Sequence, residues 1–376
     1  MFGKRVTLFR LLGFEVGLDW SWLIIALLVV WSLARGVFPA YFLNFPPATY
    51  WWMGVAGAIG LFLSIVLHEF GHSVVARAFG IQMRGITLFV FGGVAEMGTE
   101  PPTPKSEFFM AIAGPITSVV LGGMFYGLFL LGQATEWPVT VLGVLGYLAW
   151  INLVLAAFNL IPAFPLDGGR VLRSILWGLG RNFRRATRIA SAIGTGFAFL
   201  LMFAGVVSII FGSFVGGIWW FVLGIFLQSA SRTSYEQVLL REALQGEPVQ
   251  RFMTPNPVTV PPTTSVKDLV DNYIYKYQFK SFPVATDGQL VGCVNLEQIK
   301  QFPPAEWDRH TVQELTRPCS PENTVTPEED AVKALAKMNQ GHATRLMVVD
   351  HGHLVGIVAL RDLLRFLSLK LELEPA

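Results

Sequence analysis

The chain has 376 residues, 53% of them apolar and only 14% charged, and its mean hydropathy of +0.51 excludes an ordinary soluble globular protein. The net charge of +2 is unevenly divided: residues 1–232 hold 14 Lys/Arg and 8 Asp/Glu, whereas residues 233–376 hold 14 and 18. The first part belongs in lipid and the second in water, and neither carries the basic stripe that nucleic acid requires.

Residues 1–17 start basic but are broken by Arg10, Gly13 and Glu15, so a cleaved signal peptide is not expected. Apolar runs near 18–36, 51–75, 107–132, 139–161, 189–211 and 215–231 are each long enough to cross a bilayer. They predict about six spans. With the N-terminus inside, thirteen of the fourteen Lys/Arg of residues 1–232 fall on the cytosolic side and Arg35 alone falls outside. The positive-inside rule therefore puts the N-terminus and the polar C-terminal part in the cytosol. Trp20, Trp22, Trp51, Trp52, Trp219 and Trp220 sit near span ends, where an indole is comfortable at headgroup level.

At the end of the second span the sequence reads LHEFGH, with His68, Glu69 and His72 in an H-E-x-x-H arrangement. Spacing of four on a helix puts both imidazoles on one face, able to grip one Zn²⁺ at roughly 2.0–2.1 Å while Glu69 reaches a water beside it. A catalytic zinc takes three protein ligands, and the best third candidate is Asp167 in NLIPAFPLDGGR, residues 159–170. Spans two and four end on the same side, so the three residues meet at one depth. The rival reading is a helix-ending loop in which Asp167 caps the next segment or pairs with Arg170. Pro162 and Pro165 break the helix there, and irregular backbone at membrane depth needs protein or a water-filled cavity around it.

HEFGH with a distant NLIPAFPLDGG resembles the site-2 protease family of intramembrane metalloproteases. The second motif, N-x-x-P-x-P-x-x-D-G, is matched at Asn159, Pro162, Asp167 and Gly168, and departs at Phe164, where that form has proline. The resemblance implies His68, His72 and Asp167 as zinc ligands, Glu69 as catalytic acid/base, and Asn159 near the substrate or the developing oxyanion. ITLFVFGGVAEM, residues 86–97, alternates around Gly92-Gly93 as a hairpin does and resembles the family's re-entrant hairpin, onto which extended substrate would add as a strand. A plain cytosolic loop hairpin with a solvated Glu96 is the alternative. Ala113, Gly114 and Pro115 resemble a family motif in span three, but small residues also serve ordinary helix packing.

Beyond Arg232 a polar helical stretch, 233–248, links to residues 249–368, where a repeat emerges: LVGCVNLEQI (290–299) aligns with LVGIVALRDL (354–363) at an offset of 64. Each copy reads turn, helix, strand, D/H-G turn, strand, helix, which resembles a pair of CBS domains, at 249–303 and 312–368. That resemblance implies a regulatory module that binds an adenine nucleotide (ATP, ADP or AMP) or a structural pair that dimerises. The ribose-contacting positions read Asn295 and Gln298 in the first copy and Ala359 and Asp362 in the second, so Asp362 alone keeps the chemical type. Cys293 and Cys319 read as reduced thiols, and His342, His351 and His353 as solvated turn histidines.

The expected fold is thus a polytopic α-helical membrane protein with a metalloprotease domain at 1–232, followed by a cytosolic α/β tandem CBS module. The expected activity is zinc-dependent hydrolysis of peptide bonds in single-span membrane proteins. A CBS-bearing channel or transporter needs no such ligand set. A pseudoprotease would show a loss at Glu69 or at a ligand.

Overall fold

The structure, a computed structural model, describes residues 6–11, 14–81, 83–89, 92–97, 100–318, 320, 323–341 and 343–373. Lys4, Arg5, Cys319 and His342 lie outside them, as do the side chains of Arg84 and Glu96. The chain divides into two compact units, 1–236 and 237–376.

Six helices of the first unit and its junction are long and apolar enough to cross a membrane: α1 (Ser21–Tyr41), α2 (Pro47–Ala78), α3 (Pro104–Ala134), α4 (Val139–Asn159), α6 (Phe183–Ile210) and α7 (Phe214–Leu244). A shorter helix, α5 (Asp167–Gly180), lies between α4 and α6. This is the expected polytopic architecture. Their ends follow local chemistry. Pro47 and Pro104 open α2 and α3 at positions where a missing N–H costs nothing. Thr103 caps α3 in a reciprocal capping box with Ser106, and Asn182 caps α6 by accepting from Arg185 N at 2.8 Å. The last span is longer than its apolar run: α7 continues past Arg232 to Leu244, because Leu240 and Leu244 are buried in a core of the second unit.

Sequence reasoning missed half of a sheet. Beside the expected hairpin, β3 (Met83–Phe89) and β4 (Gly92–Met97), stand β1 (Val6–Leu11) and β2 (Phe14–Leu18), in the order β1-β2-β3-β4. β2 runs parallel to β3, with Val16 opposite Ile86, and β4 pairs antiparallel with β3 from Phe89 opposite Gly92. The reversal therefore precedes Gly92-Gly93. Gly85 permits the close approach of the two parallel strands, since a Cβ there would come 2.5 Å from Glu15 O. Phe14, Val16, Ile86 and Leu88 are buried between this sheet and the helices.

In the second unit the repeat is visible residue by residue. β5 (Ser281–Thr286) and β6 (Gln289–Asn295) form one hairpin, β7 (Arg345–Asp350) and β8 (His353–Ala359) the other. Each turns through two residues of positive φ, Asp287-Gly288 and His351-Gly352, as a type I′ turn demands. Both carry a bulge at the same register, between Val284 and Ala285 and between Val348 and Val349. The hairpins join through β6 and β8 at Gln289 and His353. Each repeat has its own core, one around Val284 and Leu269, the other around Leu346 of β7 and Leu363 of α9 (Leu360–Leu373), with α8 (Ala331–Gln340) a second helix of that repeat.

Candidate metal centre

His68 and His72 project from the apolar helix α2 toward the first residue of α5, Asp167. Nε2 of His68 and Nε2 of His72 lie 3.1 and 3.2 Å from the same carboxylate oxygen, Asp167 Oδ2, and 3.3 Å from each other. Among the described residues these three form a group able to hold a metal ion. A tetrahedral centre with bonds of about 2.0–2.1 Å spaces its ligands roughly 3.3 Å apart, so this nearly equilateral triangle fits a single zinc with a fourth position left open. Two nitrogens and one carboxylate oxygen are also a donor set that zinc accepts. Asp167 does not cap α5, whose N-cap is Leu166 and whose first residue it is.

The other imidazole nitrogens are held by α3. His68 Nδ1 meets Ser118 Oγ at 2.8 Å, and His72 Nδ1 donates to the Met110 carbonyl at 2.7 Å, which leaves its Nε2 as the lone-pair nitrogen. Between these two, at the same spacing of four, lies Gly114. A Cβ there would collide with His72 Nε2 and lie 2.6 Å from His68 Nε2. Met110, Gly114 and Ser118 thus make one stripe of α3 against the two histidines. The small-residue motif serves the site at Gly114, beyond ordinary helix packing. Met110 and Ser118 carried no sequence signal, because a backbone carbonyl and a serine inside an apolar span resemble packing residues.

Glu69 faces the hairpin. A Cβ on Gly93 would come 2.8 Å from Glu69 Cγ, so β4 crosses directly over the Glu69 side chain with no room for a larger residue. The same position would touch Ile65, one turn earlier on α2. Ile65 in turn lines a cavity of about 230 Å³ whose walls come from Trp22, Phe62, Leu88, Gly92, Phe158 and Trp219, among others. The cavity is apolar, and it lies beside Glu69 through Ile65 and the start of β4. Asn159 ends α4, half-buried, eight residues before Asp167; the ligand triangle forms without it.

The model of peptidase family M50 matches residues 56–141 and 127–203, and the CBS domain model matches 249–303 and 312–369. Rip3 of Mycobacterium tuberculosis is 34% identical over 98% of this chain and 94% of its own length. The zinc metalloprotease MJ0392 of Methanocaldococcus jannaschii is 32% identical over 84% of this chain and 85% of its own. This chain belongs to peptidase family M50. Among solved structures, the site-2 protease of Methanocaldococcus jannaschii is similar at 28% identity and a TM-score of 0.43, covering 61% of this chain and 94% of that one. As an M50 chain it carries both family motifs, HEFGH and NLIPAFPLDGG, on the two elements that meet at the triangle.

Two substitutions on α3 test its part in this M50 site. Ser118→Ala should weaken zinc binding by about 10–100-fold while leaving the helices intact. Gly114→Ala should abolish stoichiometric zinc, since its methyl group occupies the space where the imidazoles converge. Elemental analysis and chelator competition on the detergent-purified protein, with circular dichroism for the fold, read both.

Proposed function

We propose that this chain is an intramembrane zinc endopeptidase that hydrolyses peptide bonds in single-span membrane proteins. The observation that carries the proposal is the His68, His72 and Asp167 triangle beside Glu69, set within membrane-spanning helices and overlaid by an edge strand. Three ligands, an open position and a carboxylate beside them are the requirements of metal-assisted hydrolysis.

Zinc bound at the triangle supplies the Lewis acid that polarises the scissile carbonyl and makes water a nucleophile at neutral pH. The protein does the rest. Glu69 takes the proton from the attacking water and returns it to the leaving amine nitrogen, so a single carboxylate serves as base and then acid. β4 ends the described sheet, so its outer edge offers backbone groups to an extended segment of substrate lying over Glu69. Opening the substrate helix in this way exposes its carbonyls, and the apolar cavity at Ile65 and Gly92 receives a large apolar side chain next to the bond that is cut. Asn159 is assigned to the substrate or the oxyanion by its place in the second motif, eight residues before Asp167.

Orientation follows from charge: the N-terminus and the CBS pair lie in the cytosol, with the site at the cytosolic ends of α2 and α4. The CBS pair is assigned a regulatory role through an adenine nucleotide, with dimerisation through the same module as its structural counterpart. The two ribose positions differ in kind. Gln298 is 4% exposed and already engaged, its Oε1 accepting from Asn295 N at 2.6 Å and its Nε2 donating to Leu315 O at 2.7 Å. Asp362 stands half-buried in the first turn of α9, which supports assigning the ribose to the second repeat.

Three measurements test these assignments. Glu69→Gln should retain zinc and slow cleavage of a reconstituted single-span substrate by at least about 10²–10⁴-fold; cleavage untouched by this change would refute the assignment. In a background with Cys293 and Cys319 changed to Ser, Glu136→Cys should react with an impermeant maleimide on intact cells, and Asn182→Cys only after permeabilisation. The reverse pattern inverts the orientation. Calorimetric titration with ATP should show binding that Asp362→Ala weakens by about tenfold or more, the loss expected of one charged hydrogen bond.

A further inference from the structure

Phe164 stands where the matched form of the second motif has proline, and hydrolysis gives it nothing to do. It is nevertheless buried, at 4% exposure, in the turn that delivers Asp167. Its ring lies under the Arg173 guanidinium at 4.9 Å, and the ring of Phe183, the first residue of α6, lies against the same guanidinium at 4.8 Å. Arg173 Nε donates to Glu107 Oε1 at 2.6 Å, and its Nη2 reaches Glu107 as well and lies 3.4 Å from Glu100 Oε2. Both partners are withdrawn from solvent, with the Arg173 side chain 2% and the Glu107 side chain 0% exposed. A buried ion pair is weak evidence for stability, so its presence here needs a positional reason.

The positions supply one. Glu107 is on α3, one turn before Met110 and two before Gly114, the residues that meet the histidines. Arg173 is on α5, six residues after Asp167, and Phe164 lies three residues before Asp167. The contact therefore grips the segment bearing Asp167 on both sides and ties it to the helix that orients His68 and His72. The backbone around it is packed without slack: a Cβ at Gly168 or Gly169 would strike the turn at Leu160–Phe164, and one at Gly194 would strike the Phe164 carbonyl.

We propose that Phe164, Arg173 and Glu107 are positioning residues, a brace that holds α5 against α3 so that the Asp167 carboxylate stays within bonding distance of the same ion as His68 and His72. The brace requires a flat guanidinium, which stacks on two rings while forking toward a carboxylate; an ammonium does neither. The inference rests on the zinc reading of the triangle and is independent of whether any peptide is cut.

The test is zinc affinity of the full chain in detergent, by chelator competition and without substrate. Arg173→Lys and Phe164→Leu should each weaken zinc binding about 10–100-fold, the range found for groups that orient metal ligands. Phe38→Leu is the matched control: Phe38 is 1% exposed, packs edge-on to Tyr147 at 5.9 Å, and lies on α1. It should lower the melting temperature about as much as Phe164→Leu and leave zinc affinity unchanged. The pair Glu107→Gln with Arg173→Gln should recover part of the affinity lost in Arg173→Gln alone, because no buried charge is then left uncompensated. Wild-type affinity in both Arg173→Lys and Phe164→Leu, or an equal loss in Phe38→Leu, overturns the brace. If Arg173→Lys does not fold, Phe164→Leu against Phe38→Leu decides alone. Absence of zinc from the wild type removes the zinc reading itself, an outcome distinct from both.

Discussion

Two imidazole nitrogens and a carboxylate oxygen brought within 3.1–3.3 Å of one another inside an apolar helix bundle set the terms for everything around them. Polar groups at membrane depth are costly unless each one is satisfied, and here the satisfaction has to come from two sides at once. Where the three donor atoms converge there is no room for another side chain, which is why α3 presents Gly114 there. On the far edge of each ring, Nδ1 needs a partner, which is why α3 presents the Met110 carbonyl and the Ser118 hydroxyl one turn to either side of Gly114. The spacing of four on α2 is therefore mirrored by a spacing of four on α3. Pro115 takes a backbone N–H out of the α3 ladder in the same turn.

The rest of the membrane unit can be understood as bringing a third candidate ligand and a sheet edge to that pair. Asp167 cannot come from a continuous span, since α4 must end and a new helix must begin for its carboxylate to turn inward. Pro162 and Pro165 end α4, and Gly168 and Gly169 let the returning turn lie on the first turn of α5. On a neighbouring face of α2, β4 crosses Glu69 at Gly93, and the cavity opens beside it. Asp167 and β4 thus approach one helix from two directions. That arrangement leaves His68 and His72 facing α3 and α5 while Glu69, between them in sequence, faces the strand.

Local chemistry was legible in the sequence. H-E-x-x-H is one helical turn, the Asp167 motif is one turn of loop, and each CBS hairpin announces itself by an Asp-Gly or His-Gly pair at its reversal. The hidden features were non-local. β1 and β2 are six and five residues long, their sheet is completed by β3 some seventy residues further along the chain, and residues 7–10 of β1 are all exposed, with no alternation to betray a strand. The helical stretch expected at 233–248 is there to Leu244 but is continuous with the last span as α7; its end is buried in a core with Leu346 and Leu363, and the change to polar composition suggested a separate helix.

Arg173 shows how a positive-inside count can conceal a structural residue. By charge alone it is one more cytosolic arginine near a span end, like Arg181 or Arg185, and its bland reading is a solvated one. Burial against Phe164 and Phe183 with Glu107 as counter-charge gives it a different character, because a charge kept from water must be matched where it stands and so fixes the helices that carry its partners. Phe164, which stands where the matched motif form has proline, supplies a ring on which that arginine rests. A motif position with no role in the chemistry can still determine where the chemistry occurs, when the ligand it neighbours is delivered by a turn and not by a span.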